Sequence, residues 1–333
     1  MGSSSQHFSL KDQENIATIK AMRRQEDLSY TCRNAYQEMA LPQVTNPASK
    51  EASSSSMNSL TPEDECVTLQ TRMILCDWAH KITDFCDLDR ETAEIAMSYV
   101  DHFVQTERGI QLLHQSNQYQ ILVVTALYVA IKVHETVAVS ATQFEKISRN
   151  MFTAKDIEAM EQVLLPGLGW HLHPPTTLGF VRLFLDLIPD HVLQQEMKET
   201  AYILTKIQSE LAVRDCALVS VQASTIAFAA LMNALEALGM LESNNGARAV
   251  HDFLRMADSL DLINKRVLYN GAAILLPIQT RLYQAIAKQT DISFFGSRET
   301  TVTTPVDHPP KKGISRQKSC DTTPRSVIGR SFF

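Results

Sequence analysis

Residues 121–133 read ILVVTALYVAIKV, and this stretch decides the fold class. Apolar residues occupy every side of a helix built from it, which predicts a central helix packed all round. Residues 220–238 read SVQASTIAFAALMNALEAL and have the same character. One such helix in each half of the chain predicts an all-α protein in which one helical domain is used twice.

Amphipathic patterns surround the two apolar stretches. From residue 66 to residue 290, apolar residues recur three to four positions apart, which predicts helices almost throughout. The predicted helices span 69–82, 91–104, 121–133, 141–149, 154–165, 177–187, 191–212, 218–237, 247–257 and 262–288. Upstream, the same spacing predicts one further helix over 24–40, which docks on the rest of the chain.

The composition divides the chain into four parts. An N-terminal arm with the docking helix and a Ser-rich linker comes first, two helical domains follow, and a basic tail rich in Thr and Pro comes last. We place these parts at residues 1–65, 66–175, 176–290 and 291–333. The linker and the tail contain too little apolar surface to form a core, so both are predicted to be flexible.

The net charge of −6 is distributed unevenly along the 333 residues. The segment 297–333 contains seven Lys or Arg residues and three acidic residues, so it carries +4 and leaves −10 for residues 1–296. An acidic body disfavours nucleic-acid binding, which depends on Lys and Arg side chains that neutralise phosphates. We therefore expect no nucleic-acid partner for the helical body.

Other classes of protein are disfavoured by motif searches. The sequence has no run of about 18–20 apolar residues, so we expect no membrane segment. Its six cysteines include no C-x-x-C pair, which disfavours a disulfide scaffold or a zinc module. His171 and His173 have a spacing seen in metal ligands, but no cluster of Cys, Asp or Glu accompanies them. Phosphate-binding and nucleophile motifs are also absent, so we expect no enzyme, no cofactor and no metal.

Lys132 stands out because it ends an apolar helix. A charge among apolar neighbours is costly unless it is paired or its long stem carries it to the surface. Two interpretations are open on spacing alone. Lys132 pairs locally with Glu135, one turn later, or it belongs to an ion pair on an apolar patch that a partner buries.

Residues 71–104, TRMILCDWAHKITDFCDLDRETAEIAMSYVDHFV, resemble the opening of a cyclin box. Cyclins typically carry Met-Arg-Ala-Ile-Leu-x-Asp-Trp and Tyr-x-Asp-Arg-Phe-Leu at the corresponding places. The resemblance continues through ALYVAIKVHE at 126–135 and EAMEQVLLPGLGWHLHPPT at 158–176, and more loosely through 211–235. The matching residues that form the structural motif of the box are Arg72, Asp77, Tyr99 and Asp101.

The resemblance implies two tandem five-helix cyclin folds preceded by an N-terminal helix, with flexible termini. It implies a non-catalytic subunit that binds and activates a cyclin-dependent protein kinase, as a heterodimer, in the control of the cell cycle. The implied location is the nucleus and the cytoplasm. The alternative is a transcription-associated protein of the same fold, bound to a kinase or to a promoter.

The resemblance also implies roles for individual residues. Lys132 and Glu161 match the lysine and the glutamate that contact the mobile helix region of the kinase. The other residues expected in this interface are Val133, Glu135, Trp170 and Leu172. The substrate-docking groove of the family falls on Ile74, Leu75 and Trp78. Since Lys81 replaces the usual acid there, we expect only weak docking of substrates or inhibitors.

Three threonines outside the helical body precede prolines, namely Thr61, Thr304 and Thr323. They are minimal sites for proline-directed phosphorylation, and a phosphate near the basic residues of the tail would change its charge. The basic residues of 311–318 also form a minimal nuclear-import signal. A tail that only solvates the protein remains an equal alternative.

Overall fold

The computed structural model describes residues 9–40, 67–269 and 271–296. Within these ranges the chain forms fourteen α-helices and one 3-10 helix, and it contains no strand. The prediction of an all-α protein is confirmed. Two helices come before the repeated part, α1 (Leu10–Ser29) and α2 (Ala35–Ala40).

The first repeat contains the five expected helices and one short additional helix. They are α3 (Leu69–Phe85), α4 (Glu91–Phe103), the short α5 (Glu107–Leu112), α6 (Ser116–His134), α7 (Ala141–Ile147) and α8 (Ala154–Gly167).

The second repeat has the same plan of five helices, with a 3-10 helix and one short α-helix in addition. Its helices are α9 (Thr177–Leu187), α10 (Gln195–Arg214), a 3-10 helix (Cys216–Leu218), α11 (Ala223–Ala237), α12 (Asn244–Ser259), the short α13 (Lys265–Tyr269) and α14 (Gly271–Gly296).

Helices α6 and α11 are the central helices, as their composition predicts. Every residue from Tyr119 to Ile131 of α6 is buried, and α4 and α8 pack against this helix. Helix α11 is buried over most of its length among α9, α10 and α14. Each repeat therefore has its own apolar core around one enveloped helix.

The predicted helix over 24–40 is wrong in its extent. Helix α1 begins fourteen residues earlier than predicted, where Ser9 and Asp12 form a capping box, and it ends at Ser29. Residues 30–34 break the helix before α2. The start of α1 escapes detection because only Ile16, Ile19 and Glu26 of its 20 residues are buried, which is too few for an amphipathic stripe.

Two other predicted helices are interrupted in the structure. The segment predicted as 218–237 begins with the 3-10 helix and a turn, because Asp215 caps Ala217 through its side chain. The segment predicted as 262–288 is divided into α13 and α14. Helix α5, which Thr106 caps, was not predicted.

The two N-terminal helices dock on different repeats. Ile16 and Ile19 of α1 enter the core of the second repeat, whereas Tyr36 of α2 enters the core of the first. Between them, the Asn34 side-chain amide donates to the Cys216 carbonyl at 2.6 Å. The arm therefore spans both repeats and fixes their relation.

Candidate functional site

Lys132 and Glu161 form an ion pair on the outside of the first repeat. Lys132 Nζ lies 2.7 Å from Glu161 Oε1, and the lysine side chain is 42% exposed. Nζ also lies 5.0 Å from the centre of the Tyr128 ring, where a cation–π attraction helps to hold it. Burial opposes the charge, but the hydrogen bond to Glu161, the charge of Glu161 and the contact with Tyr128 together outweigh it and raise the pKa of Lys132. The lysine end of the pair is therefore accessible to a partner, whereas the Glu161 side chain is 16% exposed.

Glu135 is not the partner of Lys132. Its carboxylate accepts hydrogen bonds from Thr92 Oγ1 at 2.5 Å and from the Asp89 backbone N–H at 3.2 Å. The backbone leaves the helical conformation at Glu135, so its side chain points to the start of α4. The local pairing that spacing suggested is therefore wrong, and α8 supplies the counter-charge.

Trp170 projects from the turn that follows α8. Its side chain is 65% exposed, and both Gly169 and Trp170 have left-handed backbone angles, with φ of 57° and 61°. The Trp170 N–H donates to the Leu165 carbonyl at 3.1 Å, which satisfies the end of the helix. The left-handed conformation costs a bulky residue about 1–2 kcal/mol, and such strain is concentrated at functional sites.

Tyr99 and His134 hold the segment that follows Trp170. The Tyr99 hydroxyl donates to the Leu172 carbonyl at 2.5 Å, and His134 Nε2 lies 2.8 Å from the same oxygen. A carbonyl only accepts, so Nε2 carries the hydrogen. We name these three residues the Leu172 clamp. Through it, α4 and α6 fix the backbone two residues beyond the exposed indole.

A pocket of about 360 Å³ opens between Trp170 and α8. It is lined by Glu158, Glu161, Gln162, Leu165, Pro166 and Trp170. Because Glu161 belongs to both the pocket and the ion pair, the two features are continuous. We name Lys132, Glu158, Glu161 and Trp170 the α6–α8 surface. Val133, which is 36% exposed, lies next to Lys132 at its edge.

Arg72 and Asp101 form a buried ion pair at the junction of the repeats. Arg72 Nε and Nη2 donate to the two carboxylate oxygens at 3.0 and 2.6 Å, and Nη1 donates to the Val213 carbonyl at 2.8 Å. The Tyr36 hydroxyl donates to Asp101 Oδ1 at 2.9 Å. One ion pair thus joins α2, the first repeat and the end of α10.

The other two residues of the box motif lie elsewhere. Asp77 pairs with Arg214 of the second repeat at 2.9 Å, and Tyr99 belongs to the Leu172 clamp. The motif therefore serves three different contacts, two of which join the repeats.

The residues of the expected substrate-docking groove are largely inside the protein. Leu75 and Trp78 are 0% and 3% exposed, because both face the core of the first repeat. Ile74 is half-buried. Docking of substrates at this groove stays a prediction, and in this conformation only Ile74 offers side-chain surface to it.

Glu26 of α1 has a role that no sequence signal suggested. Its Oε1 accepts from the Ser224 backbone N–H at 2.8 Å, at the start of α11, where Gln222 provides no side-chain cap. Its Oε2 is buried and has no hydrogen-bond partner among the described residues. Burial raises the pKa of Glu26 to about 7. Helix α1 thus caps the central helix of the second repeat from outside.

Glu158, Glu26 and the clamp residue His134 were all missed as site residues. Glu158 could have been found from the sequence, because it lies one turn before Glu161 on the same face of α8. The contacts of Glu26 and His134 join residues far apart in the chain, so local periodicity contained no signal for them.

Within the described ranges, no group of three His, Cys, Asp or Glu residues is placed to hold a metal ion. His171 and His173 instead pack edge-on against Tyr30 and His134, at ring distances of 6.3 and 5.1 Å. No helix in the described part of the chain has the length and apolar character needed to cross a membrane. The phosphorylation sites Thr61, Thr304 and Thr323 lie outside the described residues.

Comparison with known proteins shows that part of the chain is similar to a known family. Residues 44–173 match the model of the cyclin N-terminal domain. The structure of a viral cyclin from herpesvirus saimiri superposes with a TM-score of 0.51 at 15% identity, covering 66% of this chain and 87% of that one, and it supports the fold. Residues 44–173 are therefore similar to a cyclin box, and the fold of the chain is similar to that of a cyclin.

Relatives among cell-cycle cyclins are similar at low identity. G1/S-specific cyclin-E of Drosophila melanogaster is 29% identical over 140 residues, which are 41% of this chain and 19% of that protein. G2/mitotic-specific cyclin-B1 of Caenorhabditis elegans is 25% identical over 222 residues, 65% of this chain and 58% of that protein. The chain therefore matches between a fifth and three fifths of the length of these two relatives.

Proposed function

We propose that this chain is a non-catalytic regulatory subunit that binds and activates a cyclin-dependent Ser/Thr protein kinase in the control of the cell cycle. The observation that carries the proposal is the exposed Lys132–Glu161 ion pair, whose atoms lie 2.7 Å apart next to the exposed Trp170. The resemblance of 126–135 and 158–176 to the cyclin box supports the proposal, because it matches these two residues to the lysine and the glutamate that contact the kinase. The similarity to cyclin-E and cyclin-B supports a role in the cell cycle.

The α6–α8 surface has the composition that a stable interface needs. A few aromatic or charged side chains provide most of the energy of protein association, and the contacts around them exclude water. Trp170 supplies the aromatic anchor, and Lys132 and Glu161 supply a charge pair that a partner can desolvate.

Activation follows from preferential binding to one conformation of the kinase. A bound subunit shifts a conformational equilibrium only by its difference in affinity for the two states. An active kinase needs its Lys–Glu ion pair and its activation loop correctly placed. We propose that this chain favours that state by contacting the mobile helix of the kinase, and that the heterodimer works in the nucleus and the cytoplasm.

Charge reversal tests the proposal. Lys132→Glu and, separately, Glu161→Lys are expected to abolish co-purification of a kinase from dividing cells, because each places like charges within the pair. Helical content is expected to stay unchanged, since the pair lies on the outside of the first repeat and not in its core. The measurements are mass spectrometry of the captured proteins, kinase activity of the complex, and circular dichroism.

Two controls separate the interface from general electrostatics. The exchanged pair Lys132→Glu/Glu161→Lys restores the internal attraction but presents both charges reversed, so we expect a stable protein that does not bind. Lys198 forms a pair of equal length with Asp190 in the second repeat, 2.7 Å, and Lys198→Glu is expected to leave kinase capture intact. Retained binding in both single reversals would reject this interface.

A further inference from the structure

The pocket beside Trp170 combines an apolar wall with an acidic end. Glu158, Glu161 and Leu165 are spaced three and four residues apart, so they follow one face of α8. Leu165 and Pro166 adjoin the indole of Trp170, while Glu158 lies two helical turns, about 10 Å, before Leu165. A long side chain that is apolar along its stem and polar at its tip matches such a pocket.

The charge of the pocket is not balanced within the described residues. The carboxylate of Glu161 is neutralised by Lys132. Glu158 is exposed and forms no ion pair in the described part of the chain, although Lys155 stands one turn earlier on α8. One negative charge therefore remains beside an exposed indole. An apolar side chain placed there would bury this carboxylate without a counter-charge, which is unfavourable.

We propose that this pocket receives an arginine side chain of the bound kinase, with the guanidinium stacked on Trp170 and hydrogen-bonded to Glu158. The inference rests on the proposed function, since it names the group that the same surface recognises. Tryptophan is the strongest aromatic partner for a cation. A guanidinium fits better than an ammonium because it is planar, stacks on a ring and binds a carboxylate through two donors.

The backbone that carries the indole is already fixed in the unbound protein. The Trp170 N–H is bonded to Leu165, and the Leu172 clamp holds the carbonyl two residues later. Association therefore does not have to order this turn, which lowers the entropic cost of binding. The strained left-handed angle at Trp170 is consistent with a residue held in place for recognition.

The inference is tested by measuring the equilibrium affinity of each variant for the purified kinase that was captured with the chain. The measurements are made at about 50 mM and about 500 mM salt. Glu158→Gln keeps the size of the side chain and removes its charge, so we expect about a fivefold loss of affinity at low salt and less than about twofold at high salt. Trp170→Leu keeps an apolar side chain and removes the ring, and about a tenfold loss is expected at either salt concentration. Glu242→Gln, a change at an exposed acid of the second repeat, is the matched control and should have no effect.

Substitutions in the kinase identify the occupant. Each surface arginine of the kinase is changed to methionine and combined with Glu158→Gln and with Trp170→Leu in double-mutant cycles. One arginine is expected to couple to both positions. Wild-type affinity in Glu158→Gln, or a loss in Trp170→Leu without any coupled arginine, would overturn the inference. The proposed function would survive either result as long as Lys132→Glu or Glu161→Lys abolishes binding, and it would fail if both variants bind.

Discussion

The two central helices, α6 and α11, are alike in their apolar composition and differ at their ends. Helix α6 ends with Lys132, Val133 and His134. Lys132 contacts α8, His134 contacts the segment after α8, and Val133 lies at the surface. Helix α11 starts under Glu26 of α1, which caps it from outside the repeat. The two repeats therefore share one fold and differ in the residues that contact the end of α6 and the start of α11.

Helix ends are suited to this divergence for a physical reason. The interior of an enveloped helix is constrained by packing, whereas its first and last turns have backbone groups without partners in the helix. In the first repeat the end of α6 helps to build an exposed surface. In the second repeat the start of α11 receives a buried carboxylate, so we interpret the first end as a binding element and the second as a structural one.

The largest expected effect comes from Arg72 of α3, whose side chain joins the two repeats. Arg72→Ala leaves the carboxylate of Asp101 buried without its counter-charge and frees the Val213 carbonyl. We expect the free energy of unfolding to fall by about 3–5 kcal/mol, the usual cost of breaking a buried pair. Urea denaturation followed by circular dichroism measures it.

Arg24→Ala is the control for Arg72, since Arg24 is an exposed arginine of α1. Its effect is expected to stay within about 0.5 kcal/mol. A loss below about 1 kcal/mol in Arg72→Ala would mean that the junction is not held by this pair.

The second expected effect concerns the start of α11 and depends on pH. Glu26 has a pKa of about 7 in the folded protein, above its ordinary value of 4.5, because burial penalises its charge. Between these values the folded state binds more protons than the unfolded state, so stability falls as the pH rises from 4.5 to 7. Glu26→Gln does not ionise, so the variant should gain about 2–3 kcal/mol relative to wild type between pH 4.5 and pH 8.

Urea denaturation at several pH values measures this difference. Arg23 and Asp27, which flank the site, are unchanged in both proteins, and so is Glu94, whose pKa burial also raises to about 7. The difference in the free energy of unfolding between the two proteins at each pH therefore reports on Glu26 alone. Parallel stability curves for the two proteins would show that its carboxylate is not buried in solution. Kinase binding should be equal in both, as the comparison of the two helix ends requires.

The smallest expected effect on stability concerns the end of α6. Tyr99→Phe removes one hydrogen bond to the Leu172 carbonyl and leaves His134 in place, so we expect a loss of about 1 kcal/mol in the free energy of unfolding. Kinase affinity should fall several-fold, because the turn that carries Trp170 is loosened.

Fluorescence quenching reports on that turn directly. Trp170 is exposed and Trp78 is buried, so acrylamide quenches mainly the former, and its quenching should change in Tyr99→Phe. Tyr202→Phe, which removes a hydroxyl bonded to Arg182 in the second repeat, should leave it unchanged. An unaltered quenching curve together with full affinity would show that the clamp has no part in binding.

Most of the helices could be predicted from the sequence, but fewer of the side-chain contacts between them could be. The enveloped helices were evident because a stretch that is apolar on every side has only one stable environment. Helix α1 was missed over its first half because few of its side chains are buried. The family resemblance assigned Lys132 and Glu161 to one interface but did not pair them with each other, and spacing within the chain suggested Glu135, which the fold turns toward α4.

The sequence by itself determined the all-helical class, the twofold use of one domain and the exposed charge at the end of an apolar helix. These properties follow from local periodicity and composition, which each segment carries alone. Only the tertiary structure decided that Glu161 neutralises Lys132, that Tyr99 and His134 hold the Leu172 carbonyl, and that Glu26 caps α11. Those contacts join residues 29 to 198 positions apart, and packing of the whole chain brings them within hydrogen-bond distance.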